Sequence, residues 1–192
     1  MEQQITNQQS YTIRRKIFTL FGAAFHIYDE AGNLMAFSKQ KAFKLKEDIR
    51  LYTDETCTTE RLVIKATKVI DFSSAYEVTD PATGETLGVL KRKGFKSMLR
   101  DHWVMETADG MTIQITEDSA LMAMVRRLLT NLFPQGFHAK TDTGALIASF
   151  KQNFNPFVQK LKMTFAPDTA GVDARLIIAA GVLLVAIEGR QK

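Results

Sequence analysis

Residues 173–190 read DARLIIAAGVLLVAIEGR, and how this stretch is housed decides the fold. The uninterrupted apolar run, 176–187, is shorter than the roughly 20 residues that cross about 30 Å of hydrocarbon, and Arg175 and Glu188 bracket it closely. A transmembrane span is therefore not the expectation. A surface helix is also disfavoured. At helical spacing Leu176, Ile177, Ile178, Val182, Leu183, Leu184, Val185 and Ile187 point around the whole circumference, leaving no polar face for water. A helix of this kind must be enclosed by the rest of the chain. Ala179, Ala180 and Gly181 keep its middle slim, and Asp173 and Gly189 are suited to cap it. Arg175 sits near the positive end of the helix dipole and Glu188 near the negative end, so each is expected to find a partner or water at the mouth of the enclosure.

What encloses it is written upstream. Four segments place an Asp a few residues before a Gly: YDEAGNL (28–34), VTDPATGETL (78–87), ETADGMT (106–112) and KTDTGAL (140–146). Asp bonds its own backbone and Gly accepts positive φ, so each is a tight reversal between strands. Around them the side chains alternate. Met111, Ile113 and Ile115 interleave with Thr112, Gln114 and Thr116, while Phe157, Leu161, Met163 and Phe165 alternate with Val158, Lys160, Lys162 and Thr164. Further strands are expected near 13–28, 34–46, 49–54, 61–71, 75–80, 86–93, 102–107, 137–141 and 145–151, giving about a dozen segments in an antiparallel meander. A wide closed β-barrel leaves room for more than side chains, so the expected architecture is a barrel with the tail helix inside.

One further segment breaks the period of two. DSALMAMVRRLLTNLF, 118–133, sets Leu121, Met124, Val125, Leu128, Leu129 and Leu132 on one helical face, with Asp118 or Ser119 as N-cap and Pro134 beyond its end. Arg126 and Arg127 suit either a membrane surface or the polar edge of a helix covering the barrel end.

Composition bounds the rest. A chain of 192 residues that is 45% hydrophobic can bury one sizeable core, so residues 11–192 are expected to form a single domain after a loose terminus, 1–10. That terminus, MEQQITNQQS, lacks the basic and apolar regions of a secretory signal. Together with a lone cysteine, Cys57, which rules out an internal disulfide framework, this points to the cytoplasm. With 25 Lys and Arg against 21 Asp and Glu, the net charge of +4 is mildly basic and names no partner.

The segments YTIRRKIFTL (11–20), FHIYDEAGNLMAFSKQKAFKLKEDIRLY (25–52), RLVIKATKVIDFSSAYEVTDPATGETLGVLKRKG (61–94) and LRDHWVM (99–105), followed by the apolar tail helix, span nearly the whole chain. In this order they resemble the LURP-one-related (LOR) family, which belongs to the tubby-like superfamily with the phospholipid scramblases. The resemblance implies a mainly β fold with α: a tubby-like closed antiparallel barrel of about twelve strands around a central hydrophobic C-terminal helix. It also implies a taste for lipid headgroups at basic surface residues. The palmitoylated and calcium-binding segments of scramblases are absent, so lipid scrambling is not implied.

Catalytic motifs are missing. There is no G-x-S-x-G elbow, H-E-x-x-H helix or G-x-G-x-x-G turn, and Gly94, Phe95, Lys96 and Ser97 lack the spacing of a phosphate loop. His26, His102 and His138 lie in separate strands without the close spacing of a zinc site. The pairs Asp29–Glu30 and Asp54–Glu55 fall at hairpin ends and read as solvated turn residues rather than acid–base pairs. No enzyme activity, cofactor or metal is expected. One cluster stands out: Lys91, Arg92, Lys93, Lys96 and Arg100 gather around Gly94 and Phe95, an arrangement suited to a phosphate or to an anionic headgroup layer. A plain lysine-guarded strand end accounts for it too. A second stretch, Lys39, Lys41, Lys44 and Lys46, is spaced along a strand as a solvated face would be. The expected function is thus non-enzymatic binding of anionic phospholipid headgroups, or another phosphorylated ligand, through the 91–100 patch, peripheral at the membrane. The alternative is a protein-interaction scaffold, and nucleic acid is disfavoured by the modest charge.

Overall fold

A computed structural model describes residues 9–18, 22–40, 48–67, 74–92, 102–118, 135–153 and 158–187. Within them a closed barrel is built from twelve antiparallel strands. Its first half comprises β1 (Ser10–Phe18), β2 (Gly22–Tyr28), β3 (Leu34–Gln40), β4 (Asp48–Tyr52), β5 (Glu60–Thr67) and β6 (Ser74–Thr79). The second half comprises β7 (Thr86–Arg92), β8 (His102–Thr107), β9 (Thr112–Glu117), β10 (Gly136–Thr141), β11 (Leu146–Gln152) and β12 (Gln159–Phe165). Each strand pairs with its sequence neighbours, and β1 closes on β12 in the register Ile13↔Leu161. The helix α1 (Ala174–Ile187) fills the barrel, and every residue from Leu176 to Ala186 is buried.

The mainly β fold with one central C-terminal helix is the one expected. The count differs locally, because the segment expected as one strand over 13–28 is two, β1 and β2, paired as Ile13↔Ile27 through Phe18↔Gly22. No Asp–Gly signal marks the intervening TLF, residues 19–21, so turn chemistry does not reveal this hairpin. The helix expected over 118–133 lies, beyond Asp118, outside the described residues.

The four Asp–Gly reversals lie at one mouth of the barrel. Gly32 and Gly110 occupy the left-handed region at φ +83° and +89°, which a β-carbon would oppose. Asp29, expected as a solvated turn residue, is buried instead: its carboxylate accepts from Asn33 N at 2.7 Å and Asn33 Nδ2 at 2.9 Å, so it serves the turn from inside. Asp54 behaves as anticipated, exposed and accepting from Thr56 N at 2.8 Å.

α1 enters at this same mouth. Asp173 caps it, accepting from Arg175 N at 2.8 Å through Oδ1, as its sequence position suggested. Arg175 finds the partners its unfavourable dipole position requires, pairing with Asp173 Oδ2 at 2.7 Å and with Asp80 in the β6–β7 turn. The opposite end of α1 is held by Arg15, an arginine that points into the barrel and is 3% exposed. Its guanidinium donates to Val185 O at 3.0 Å and to Gln159 Oε1 at 3.1 Å, lending positive charge to the carbonyl end of the helix. Glu188 lies outside the described residues.

Asp80 ties acid stability to this anchorage. The Ala82 N–H, first, and then the Arg175 guanidinium hold its carboxyl below the usual carboxylate range. A carboxyl lowered on folding contributes stability in full above its unfolded value of about 4, and loses it as pH falls through the folded value. Asp80→Asn is therefore expected to cost about 1 kcal/mol at neutral pH and to narrow the gap to wild type in acid. Urea midpoints at neutral and acidic pH measure both; a constant gap would exclude Asp80 from the acid response.

Candidate anion-binding surface

Of the five candidate cations in 91–100, two are described. Lys91 lies on the outer face of β7, where its Nζ is 2.6 Å from Glu106 Oε2 on β8, so its charge is already engaged. Arg92, the last residue of β7, is half-buried and stands opposite Trp103 and Ser74 in the ladders. Lys93, Lys96 and Arg100 lie outside the described residues, as do Lys41, Lys44 and Lys46.

A second basic surface is assembled by the barrel closure. Going round the sheet, β3, β2, β1, β12 and β11 are consecutive neighbours, and none of the five contains an Asp or Glu. Apart from the inward Arg15, their cations are Arg14, Lys16, Lys39, Lys151, Lys160 and Lys162, all at outward positions in the alternation. Lys16, Lys39, Lys151, Lys160 and Lys162 are exposed and Arg14 is half-buried. The register opposes like charges, with Arg14 across from Lys160 and Lys162 across from Lys151. Like charges directly opposite each other cost stability, roughly 0.2–1 kcal/mol per pair, so the arrangement is not one that folding alone favours. The rest of the barrel mixes its signs. Asp48, Glu60, Glu77 and Glu106 there lie among Arg50, Arg61, Lys65 and Lys91, with Arg50 bridging Asp48 and Glu60.

Elements of this surface are visible one strand at a time, as Lys160 and Lys162 alternate with Leu161 and Met163. The signal that reading strands singly overlooks is the absence of acids from residues 3–28 and 143–167. Those two segments are far apart in sequence and become neighbours only through β1 and β12.

The histidines occupy three strands as expected. His102 Nε2 meets Gln114 Oε1 at 2.8 Å, and His138 Nδ1 contacts Asp118. His26 is buried on the outer face of β2, edge-on to Phe37 with ring centroids 4.9 Å apart and stacked on Tyr28 at 6.0 Å. Its Nε2 is 2.9 Å from Glu55 Oε1 in the β4–β5 turn. Cys57, in the same turn, has its thiol pushed up by burial, which lowers its thiolate fraction. Among the described residues no three His, Cys, Asp or Glu are placed to hold a metal ion, and no helix is long and apolar enough to cross a membrane.

Comparison with known proteins agrees with this architecture. The chain is similar in structure to a crystal structure of an Arabidopsis thaliana protein, with a TM-score of 0.51 and 16% identity over 93% of this chain and 91% of that one. At that identity the likeness concerns the fold. Among curated proteins no relative matches the sequence. The model of the LURP-one-related family matches residues 9–185. A barrel closed around an apolar helix, with a family match across nearly its whole length, places the chain in one group: it belongs to the LURP-one-related family.

Proposed function

We propose that this protein binds anionic phospholipid headgroups at the outer surface of its barrel and catalyses nothing. The observation that carries the reading is the segregation of charge: five neighbouring strands with six outward cations and no acid. Neighbouring strands are about 4.8 Å apart, so β3 to β11 spans about 19 Å along the sheet, wider than one phosphate. Such a surface suits an array of headgroups. Lysines dominate it, and a lysine ammonium on a flexible stem adapts to phosphates whose positions are not fixed. The cytoplasmic leaflet, whose anionic lipids attract basic surfaces, is the membrane that a peripheral protein of this charge would meet. The 91–100 cluster, with Lys91 turned to Glu106, is a secondary contact in this reading.

Co-sedimentation with vesicles tests it. Wild type is expected to pellet with phosphatidylcholine vesicles containing phosphatidylserine and phosphoinositides, to stay free of neutral vesicles, and to be released by salt. Replacing Lys160 and Lys162 together with Ala removes two surface charges, about 2 kcal/mol, and is expected to weaken binding on the order of thirty-fold. Replacing Lys91, Arg92, Lys93 and Lys96 with Ala is expected to weaken it less. Absence of wild-type binding to anionic vesicles at moderate salt overturns the reading, and a larger loss in the second variant moves the site to 91–100.

A further inference from the structure

Carboxylates reach the acid-free surface from two turns outside its own strands: Glu30 of the β2–β3 turn, whose Oε1 accepts from Ser10 Oγ at 2.7 Å, and Glu55. Glu55 belongs to the β4–β5 turn, yet its Oε1 lies 2.9 Å from Nε2 of His26 on β2. His26 stands directly across from Arg14 on β1, and Arg14 directly across from Lys160 on β12, so the three form one row of the outward face. The two partners of the contact are unlike. The His26 side chain is 4% exposed and held between Phe37 and Tyr28, while the Glu55 side chain is 65% exposed. Beside them, Arg14 Nε is a buried donor with no hydrogen-bond partner among the described residues.

A buried donor without an acceptor carries a desolvation cost, and it stands next in the row to an imidazole whose outward nitrogen is already occupied by a carboxylate. We propose that His26, Arg14 and Lys160 form an anion site, that Glu55 is its resident internal anion, and that a ligand phosphate takes its place. This rests on the headgroup reading above and gives it a local anchor and a restraint. The imidazole is fixed in direction by ring packing, so little ordering accompanies binding. A phosphate oxygen accepts from Nε2–H where Glu55 does now, and its other oxygens face the guanidinium and the ammonium at strand spacing. Glu55 is displaceable because a mostly solvated carboxylate with one hydrogen bond gains little from its place. Its removal frees the site without touching the core.

The test compares wild type, Glu55→Gln, Asp54→Asn and Arg14→Gln on phosphatidylcholine vesicles with and without phosphoinositide, and separately with soluble inositol trisphosphate. The His26 imidazole nitrogen resonance is followed in both arms. Asp54→Asn removes the same charge from the same turn without touching His26. Glu55→Gln is expected to bind phosphoinositide vesicles about five-fold more tightly, Asp54→Asn to match wild type, and Arg14→Gln to bind more weakly. The His26 resonance is expected to move on binding. A response to inositol trisphosphate identifies the headgroup alone as sufficient; a response to vesicles only identifies the lipid surface. Equal gains from Glu55→Gln and Asp54→Asn, no gain from Glu55→Gln while wild type binds, or a stationary His26 resonance would overturn the anion site and leave the headgroup reading standing. Binding by none of the four to either probe overturns both.

Discussion

Leu183→Asp is expected to leave no stably folded barrel. Leu183 is fully buried at the middle of α1, and the helix residues around it, from Leu176 to Ala186, are buried on every side. A carboxylate placed there leaves water for an apolar interior lined by side chains such as Ile13, Leu161 and Met163. It must either stay charged at a cost of several kcal/mol or take up a proton and still bury an unsatisfied polar group. Stabilities of single domains run to about 5–15 kcal/mol, so this one change consumes much of the total. Leu183→Met conserves volume and is expected to cost less than about 1.5 kcal/mol, which separates the charge from the change of shape. Circular dichroism and urea unfolding measure both. A Leu183→Asp protein that unfolds cooperatively near the wild-type midpoint would show that α1 is not the core of the barrel.

Gly88→Ala is expected to have the next largest effect, although it adds a single methyl group. A β-carbon at Gly88 would lie 2.3 Å from the carbonyl oxygen of Glu106 and 2.8 Å from Leu176 Cδ2. The first atom is backbone in the β7–β8 ladder, where Gly88 stands opposite Thr107, and it has no rotamer to retreat to. The second belongs to the first turn of α1. Relief therefore requires the strands to part or the helix to shift, and overpacking of this kind costs about 1–3 kcal/mol. Gly181 makes the instructive comparison. A β-carbon there would lie 2.3 Å from Met163 Sδ and 3.0 Å from Ile13 Cδ1, both side-chain atoms, and the methionine thioether can rotate away. Urea midpoints of the two alanine variants are expected to fall in that order, with Gly88→Ala the lower; the reverse order would mean that the β7–β8 pairing yields more readily than the interior.

Much of the fold is legible because it rests on local properties. The tail announces its enclosure through the absence of any polar side, and the hairpins through Asp and Gly at fixed offsets. The need of Arg175 for a partner follows from its place on the helix. The β1–β2 hairpin is illegible for a related reason, since nothing in TLF carries turn chemistry. The inward Arg15 is illegible because an arginine in an alternating strand gives no sign of which face it serves until the opposite face is known.

The candidate surface is legible only in pieces. Lys160 and Lys162 look like an ordinary solvated strand face, and so do Arg14 and Lys16. Their significance lies in being opposite one another, which depends on β1 closing on β12 across almost the whole length of the chain. His26 likewise reads as a strand histidine, and its burial comes from Phe37, Tyr28 and a turn that follows β4.

Antiparallel strands around an enclosed helix can be read from the residues in order, because hydrophobic period, turn chemistry and helix amphipathicity are properties of near neighbours in the chain. Which charges share a face and which are neutralised follows only from the folded barrel. Electrostatic interaction depends on distance through space, and the barrel's closing register sets those distances between residues far apart in the chain.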